Sequence, residues 1–326
     1  MVPILFNQET SYLKKFGASA PGSLFLLGEH AVLHNKHAIV MAVDKRIRVN
    51  LQLRDDQKIH ITSPLGELKT EINTIQVEKP FQFVLAAIQR FRSRLTQGFD
   101  LFIDSEFSSE IGLGSSAAVT VATIAVLEQS INKEIMPRKD LLQLFETARS
   151  VIQEIQGMGS GADVAASVYG GAILYQQLTP FVLKKFSVLL PFVLAYSGYK
   201  TPTPEVVSKV EERRQQYPTI FENLFEAIDE IALQASKFIE QENWIEVGRL
   251  MDIQQGIMNA LGVSTPNLNN LVAALKSVEN IYGAKISGSG LGDCIIGIGK
   301  PITSFPSVLQ TALIPVAGTL QGLLYE

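Results

Sequence analysis

The sequence predicts a two-domain α+β fold, and three observations predict it. At 326 residues the chain exceeds what one hydrophobic core ordinarily serves. Its first half sets apolar, β-branched runs ahead of helical periodicities. After Thr201-Pro202-Thr203-Pro204 the composition shifts to long amphipathic helices, and the chain then closes on a glycine-rich turn between short strands. The boundary is expected near 185, with an N-terminal domain over 1–185 and a C-terminal α+β domain over 186–326.

Residues 16–30 and 38–53 read as strands, punctuated by Gly28-Glu29-His30 and Asn35-Lys36. Ile59-His60-Ile61-Thr62 alternates before the turn Pro64-Leu65-Gly66. Phe81 to Leu95 carries apolar residues at 81, 84, 85, 88 and 91, which is helical spacing. Leu101-Phe102-Ile103 is a short strand. Helices follow from Ser115 to Asn132 and from Lys139 to Gln156. In the second, Leu141, Leu144, Phe145, Ala148, Ile152 and Ile155 form one stripe. Tyr169-Gly170-Gly171 interrupts, and strands at 172–176 and 191–196 come next. Helices over Phe221–Ile239, Trp244–Leu261 and Leu268–Val278 precede Ala284-Lys285-Ile286 and a strand from Cys294 to Ile298.

Composition removes several function classes. A formal charge of −4 leaves no basic footprint for nucleic acid or an anionic membrane. The lone cysteine, Cys294, precludes an internal disulfide and suits a reducing compartment. Met1 to Glu9 shows no secretory signal, and the uncharged stretch Ile111 to Leu127 is about a turn short of a membrane span. A cytoplasmic protein is the expectation.

Four segments carry chemistry. Gly112-Leu113-Gly114-Ser115-Ser116-Ala117-Ala118 leads straight into a helix. Glycines let successive N–H groups converge on an anion, and the helix start adds free donors and a positive dipole end. A plain serine-capped helix start explains the same letters. Gly157-Met158-Gly159-Ser160-Gly161-Ala162-Asp163 sets one carboxylate among small residues, where a hydroxyl proton has access to it; an aspartate capping a turn is the alternative. Ser287-Gly288-Ser289-Gly290-Leu291-Gly292-Asp293 reads as a ligand cover or a hairpin turn. Pro21-Gly22-Ser23 with Gly28-Glu29-His30 reads as a site edge or a solvated strand end.

Taken together, these segments resemble the kinase family of galactokinase, homoserine kinase, mevalonate kinase and phosphomevalonate kinase, and the similarity spans residues 19 to 299. The resemblance implies a two-domain fold with its active site in the cleft between the domains, and the use of ATP and Mg²⁺. Gly28 to His34 and Gln255 to Leu271, with Ala260-Leu261-Gly262-Val263-Ser264, are most similar to the mevalonate kinase branch, which acts in isoprenoid biosynthesis. That branch implies nucleotide contacts from Gly112, Leu113, Gly114, Ser115, Ser116 and Ala117, with Ser116 near Mg²⁺. It implies Asp163 facing the C5 hydroxyl of mevalonate, and Glu29, His30, Thr203, Gly288 and Ser289 at the substrate. Members are often dimers, so a homodimer is among the arrangements implied.

Two positions depart from that pattern. Ser23 stands where a lysine usually follows Ala-Pro-Gly, and Ile152 where a Mg²⁺-binding glutamate is usual; Glu154, two residues on, is expected to face elsewhere on its helix. Gly159 to Ala166 and Gly292-Asp293-Cys294 are more similar to phosphomevalonate kinases. Their anionic substrate would call for nearby cations, for which Lys200 and Lys285 are candidates unless they simply face solvent. A phosphomevalonate kinase, or a non-catalytic sensor on the same fold, are the alternatives.

Overall fold

A computed structural model describes residues 15–133, 141–177, 182–302 and 312–326. The chain opens with β1 (Lys15–Leu27) and a single 3₁₀ turn (Ala31–His34), followed by β2 (Ala38–Leu53), β3 (Lys58–Ser63) and β4 (Gly66–Glu71). Next come α1 (Gln82–Phe91), β5 (Phe99–Ser105), α2 (Ser115–Asn132), α3 (Leu141–Gln156) and α4 (Ala162–Tyr169). Strands β6 (Ala172–Gln176), β7 (Val182–Lys185) and β8 (Phe192–Tyr196) lead to α5 (Thr203–Gln216), α6 (Pro218–Glu240), α7 (Trp244–Leu261) and α8 (Pro266–Lys276). The chain ends with β9 (Ile281–Ser287), β10 (Cys294–Gly299), β11 (Ala312–Leu313) and β12 (Leu324–Tyr325). The expected helix start at Lys139 lies outside the described residues.

The strands form two sheets. The first runs β12-β1-β2-β5-β3-β4, with β6 also on β2 and β7 on β6; β3 and β5 are parallel, the other pairs antiparallel. The second runs β11-β8-β10-β9 and is antiparallel throughout. Helix α2 packs on β1, β2, α1, α3 and α4. Its apolar character runs all round, from Ala117 and Ala118 to Val121, Ile124, Ala125 and Leu127, as a helix enclosed on every side requires. Helices α7 and α8 cover β9 and β10, and α6 lies on α7.

Six described elements were absent from the sequence expectation: β4, α4, β7, α5 and the two short strands β11 and β12. Helix α5 buries only Val206 and Val210, so its apolar stripe is too thin to announce a helix. Its prolines mark the helix start, where the missing N–H is harmless. At the C-terminus the chain returns to the first sheet. Ala18 and Ser19 pair with Tyr325 and Leu324, and Leu323 N–H donates to Val168 O at 3.1 Å. No described helix is long and apolar enough to cross a membrane.

A buried polar latch ties the two sheets together behind the cleft. Between β1 and the 3₁₀ turn, Gly28 has φ +97, and a Cβ there would sit 2.3 Å from Ala38 Cα, so only glycine passes. The turn buries Glu29, whose Oε1 accepts from Lys285 Nζ on β9 at 2.5 Å. Its Oε2 accepts from Gln254 Nε2 on α7 at 2.6 Å, and Gln254 Oε1 accepts from Gly28 N at 3.2 Å. Lys285 is 0% exposed, which corrects the solvent-facing expectation, and the same pairing removes it from the cations available to a substrate. Burial lowers its pKa, and the Glu29 carboxylate opposes that.

Removing one partner of such a pair strands the other charge. Lys285→Met is expected to cost about 3–5 kcal/mol in urea unfolding. Adding Glu29→Gln to Lys285→Met should recover a measurable part of that loss; a double variant as unstable as the single one would refute the latch.

Candidate functional site

A cleft of about 1200 Å³ gathers Ser23 and Glu29 from the first strand and its turn, Gly112, Gly114, Ser115 and Ser116, Asp163, Thr203 and Gly288-Ser289. One wall is the start of α2. None of the backbone N–H groups from Gly112 to Ala117 donates a hydrogen bond within the described protein. Gly112 (φ +69) and Gly114 (φ +63) give the loop its left-handed turns. A Cβ at Gly112 would meet Asp293 Oδ1 at 1.8 Å, and one at Gly114 would meet Ser23 Oγ at 2.2 Å. The loop therefore needs glycine for conformation and for space.

Leu113 and Ala117 are buried, at 1% and 0% exposure, and anchor this loop in the core. Neither of them lines the cleft. Leu113 O accepts from Ser23 N at 3.0 Å, which fixes the loop against β1. Ser116 lines the cleft, and its hydroxyl bonds to no protein group among the described residues. With its dipole end and free amides, this wall could hold an anion.

Asp163 stands in the first turn of α4, after Gly161 at φ +85. The preceding loop is held by Tyr175 Oη donating to Ser160 O at 2.6 Å and Gln153 Nε2 donating to Gly159 O at 3.0 Å. Asp163 Oδ1 accepts from Val164 N at 2.9 Å. Burial raises its pKa, and the hydrogen bonds from Val164 and from its own N–H only partly oppose this. Among the described residues no lysine or arginine bonds to it, and Ser23 brings no charge. Lys200 lines the cleft, but its charge acts on Asp293 instead. No described cation therefore takes the place at Asp163 of the lysine that Ser23 replaces.

The other positions expected at the substrate share this cleft. His30 Nε2 lies 2.8 Å from Ser289 O, so a proton belongs on Nε2, and burial lowers the ring's pKa. Gly288 N reaches Glu29 Oε1 at 3.4 Å, and Ser289 Oγ is buried without a partner. Thr203 is the first residue of α5. Glu29 lines the cleft, yet both its oxygens are engaged in the latch. The turn 287–293 is both a hairpin, joining β9 to β10, and part of the cleft wall. Ile152 is 2% exposed and packs as an apolar residue, while Glu154 pairs with Arg90 at 2.6 Å on the surface.

Sequence reasoning assigned no role to two residues. Gln254 completes the latch, and a glutamine inside an apolar helical stripe was the available signal. Asp293 touches Gly112 from across the cleft, and its left-handed φ of +74 beside Gly292 was invisible in the letters.

Residues 82–171 match the family model described as GHMP kinases N terminal domain, and residues 225–304 the model described as GHMP kinases C terminal. A mevalonate kinase of Archaeoglobus fulgidus is 36% identical over 284 residues, covering 87% of this chain and 92% of its own. The crystal structure of the Methanococcus jannaschii mevalonate kinase aligns with a TM-score of 0.76 at 23% identity, over 95% of this chain and 99% of that one. A Streptococcus pneumoniae phosphomevalonate kinase in complex with phosphomevalonate and AMPPNP aligns at 0.73 and 19%, over 88% and 92%. At those identities the two structures speak to the fold alone. The archaeal relative and the two family models, laid over a glycine loop whose six amides are free, establish that the chain belongs to the GHMP kinase family.

Proposed function

We propose that the chain transfers the γ-phosphoryl group of ATP to the C5 hydroxyl of mevalonate in this cleft. The observation that carries the reading is one cavity lined by both the glycine loop, through Gly112, Gly114, Ser115 and Ser116, and the half-buried Asp163. The loop amides neutralise charge on the β- and γ-phosphates as it shifts during transfer. The acceptor oxygen bonds to the γ-phosphorus, the bond to the β–γ bridging oxygen breaks, and ADP leaves. Asp163 takes the hydroxyl proton. Because burial raises its pKa, Asp163 in its ionised form is a stronger base than a solvated aspartate. His30, Thr203, Gly288 and Ser289 line the acceptor's part of the cleft, and Glu29 shapes it through the latch. The two lobes divide near residue 185, with the C-terminal strand returning to the first.

The residues present fit a divalent cation. Ser116 supplies a hydroxyl without a protein partner, and Asp293 Oδ1 is a buried oxygen with none. Mg²⁺ held there would supply positive charge to the phosphates. A reducing, cytoplasmic setting belongs to the same reading, with the Cys294 thiol buried and donating to Ile111 O at 3.0 Å.

Mevalonate is favoured over phosphomevalonate by the supply of cations. Among the described cleft-lining residues only Lys79 and Lys200 are cationic, and Lys285 is committed to Glu29. A second phosphorylated ligand beside ATP would find little to balance its charge. The A. fulgidus relative named above points the same way.

A coupled ADP-release assay tests this with each acceptor separately. Turnover is expected with mevalonate and not with phosphomevalonate; the reverse preference would move the chain to the other branch, and none with either would leave a sensor. Asp163→Asn is expected to lower kcat by at least about 100-fold with ATP affinity nearly intact. A variant keeping a tenth of the activity removes Asp163 as the base.

The same carboxyl predicts two pH effects. The acid limb of kcat/KM should lie above the ordinary aspartate value of about 3.9, since catalysis needs the ionised form. For stability the raised pKa favours the wild-type fold below about pH 4. That contribution is lost as pH climbs through the raised folded-state value, so near pH 7 Asp163→Asn should match or exceed the wild-type Tm. A clearly lower Tm there would contradict the burial account. Gly114→Ala places a side chain at φ +63 against Ser23 and should weaken ATP binding at least about tenfold by calorimetry; unchanged affinity would free the loop of its proposed task.

A further inference from the structure

Four acidic side chains line the cleft among the described residues: Glu29, Glu106, Asp163 and Asp293. Three are committed. Glu29 holds Lys285 and Gln254. Glu106 accepts from Arg46 N at 3.1 Å and from Arg48 Nη1 at 2.8 Å. Asp163 accepts from Val164 N in the first turn of α4. Asp293 is 6% exposed, its Oδ1 is buried without a hydrogen-bond partner, and that oxygen lies against Gly112 of the phosphate loop. Its backbone is fixed on both sides, with Asp293 N donating to Tyr199 O at 2.8 Å and Ser197 N donating to Asp293 O at 3.0 Å. The neighbouring Cys294 Sγ donates to Ile111 O, which braces the strand to the residue preceding the loop.

A carboxylate beside a loop that collects phosphate oxygens opposes the loop's own purpose. Two like charges a few ångströms apart in a water-poor site repel strongly unless a cation lies between them. We propose that Asp293 makes triphosphate binding at the glycine loop dependent on a divalent cation, by repelling metal-free nucleotide and accepting the metal-bound form. Burial raises the pKa of the Asp293 carboxyl, and Lys200 is the side chain whose positive charge opposes that shift and moderates the repulsion without a direct bond. This inference rests on the reading of the loop as an ATP site.

Calorimetry on the full chain, with ATP plus Mg²⁺ and with ATP plus EDTA, tests it. Wild type should prefer the Mg²⁺ form. Asp293→Asn should shrink that preference about tenfold, mainly by tightening metal-free ATP, within the usual range of coupling between sites. Lys200→Met should enlarge it. An Asp293→Asn protein with an unchanged ratio, or one losing both forms of ATP alike, overturns the proposal. If Asp293→Asn does not fold, an unchanged ratio in Lys200→Met overturns it equally. Wild type binding neither form overturns the ATP reading itself, whereas wild type binding both forms equally overturns only the role of Asp293.

Discussion

Lys285 is a cation with no exposure at all, and that is tolerable only because Glu29 meets it across the two sheets. Burying either charge alone would cost more than most single interactions return. Gln254 satisfies the remaining carboxylate oxygen and reaches back to Gly28, so three segments far apart in sequence close on one another. The cleft inherits its shape from that closure. His30, next to Glu29, is directed to the Ser289 carbonyl, and Gly288 N–H reaches Glu29 itself. The turn carrying the third glycine segment thus leans on the same carboxylate that joins the sheets.

The phosphate wall obeys a different constraint, one of space. Leu113 and Ala117 are pulled into the core, and the intervening backbone must curl to let them in. Ser23 presses on one glycine and Asp293 on the other. The amides consequently face a cavity instead of another part of the chain. Asp163 is held apart from this crowding, at the start of a short buried helix, and without a cation its carboxyl holds its proton more tightly than a solvated one. The free amides and the Asp163 carboxyl therefore sit on separate elements.

The regular part of the fold was legible where one face of an element is buried. The boundaries expected for α2 and α7 coincide with the observed Ser115–Asn132 and Trp244–Leu261. Helix α5 was not legible, because Glu205, Lys209, Glu211, Glu212, Arg213 and Arg214 leave it almost no apolar stripe. β12 has two residues, too few for an alternation, and it pairs only because the chain end returns to β1. At the site, the glycine segments marked the curled backbone before α2 and the bend before Asp163, since glycine density reports backbone that must bend. They did not separate contact from support: Leu113 and Ala117 proved to be anchors, and Glu29 a latch.

Local sequence determined the glycine loop, the carboxylate after Gly161 and the main helices, because backbone conformation and amphipathic period are properties of neighbouring residues. Family membership followed from the order of those segments along the chain. Pairings across more than two hundred residues were decided by the tertiary structure alone. Lys285 reads in the sequence as an ordinary lysine in a strand, and only the Glu29 carboxylate, 256 positions away, turns it into a buried ion-pair partner. Asp293 reads as a turn residue, and only the approach of Gly112 brings its unpartnered oxygen to the glycine loop. The energy of a buried charge depends on which atoms surround it, and sequence neighbours are not those atoms.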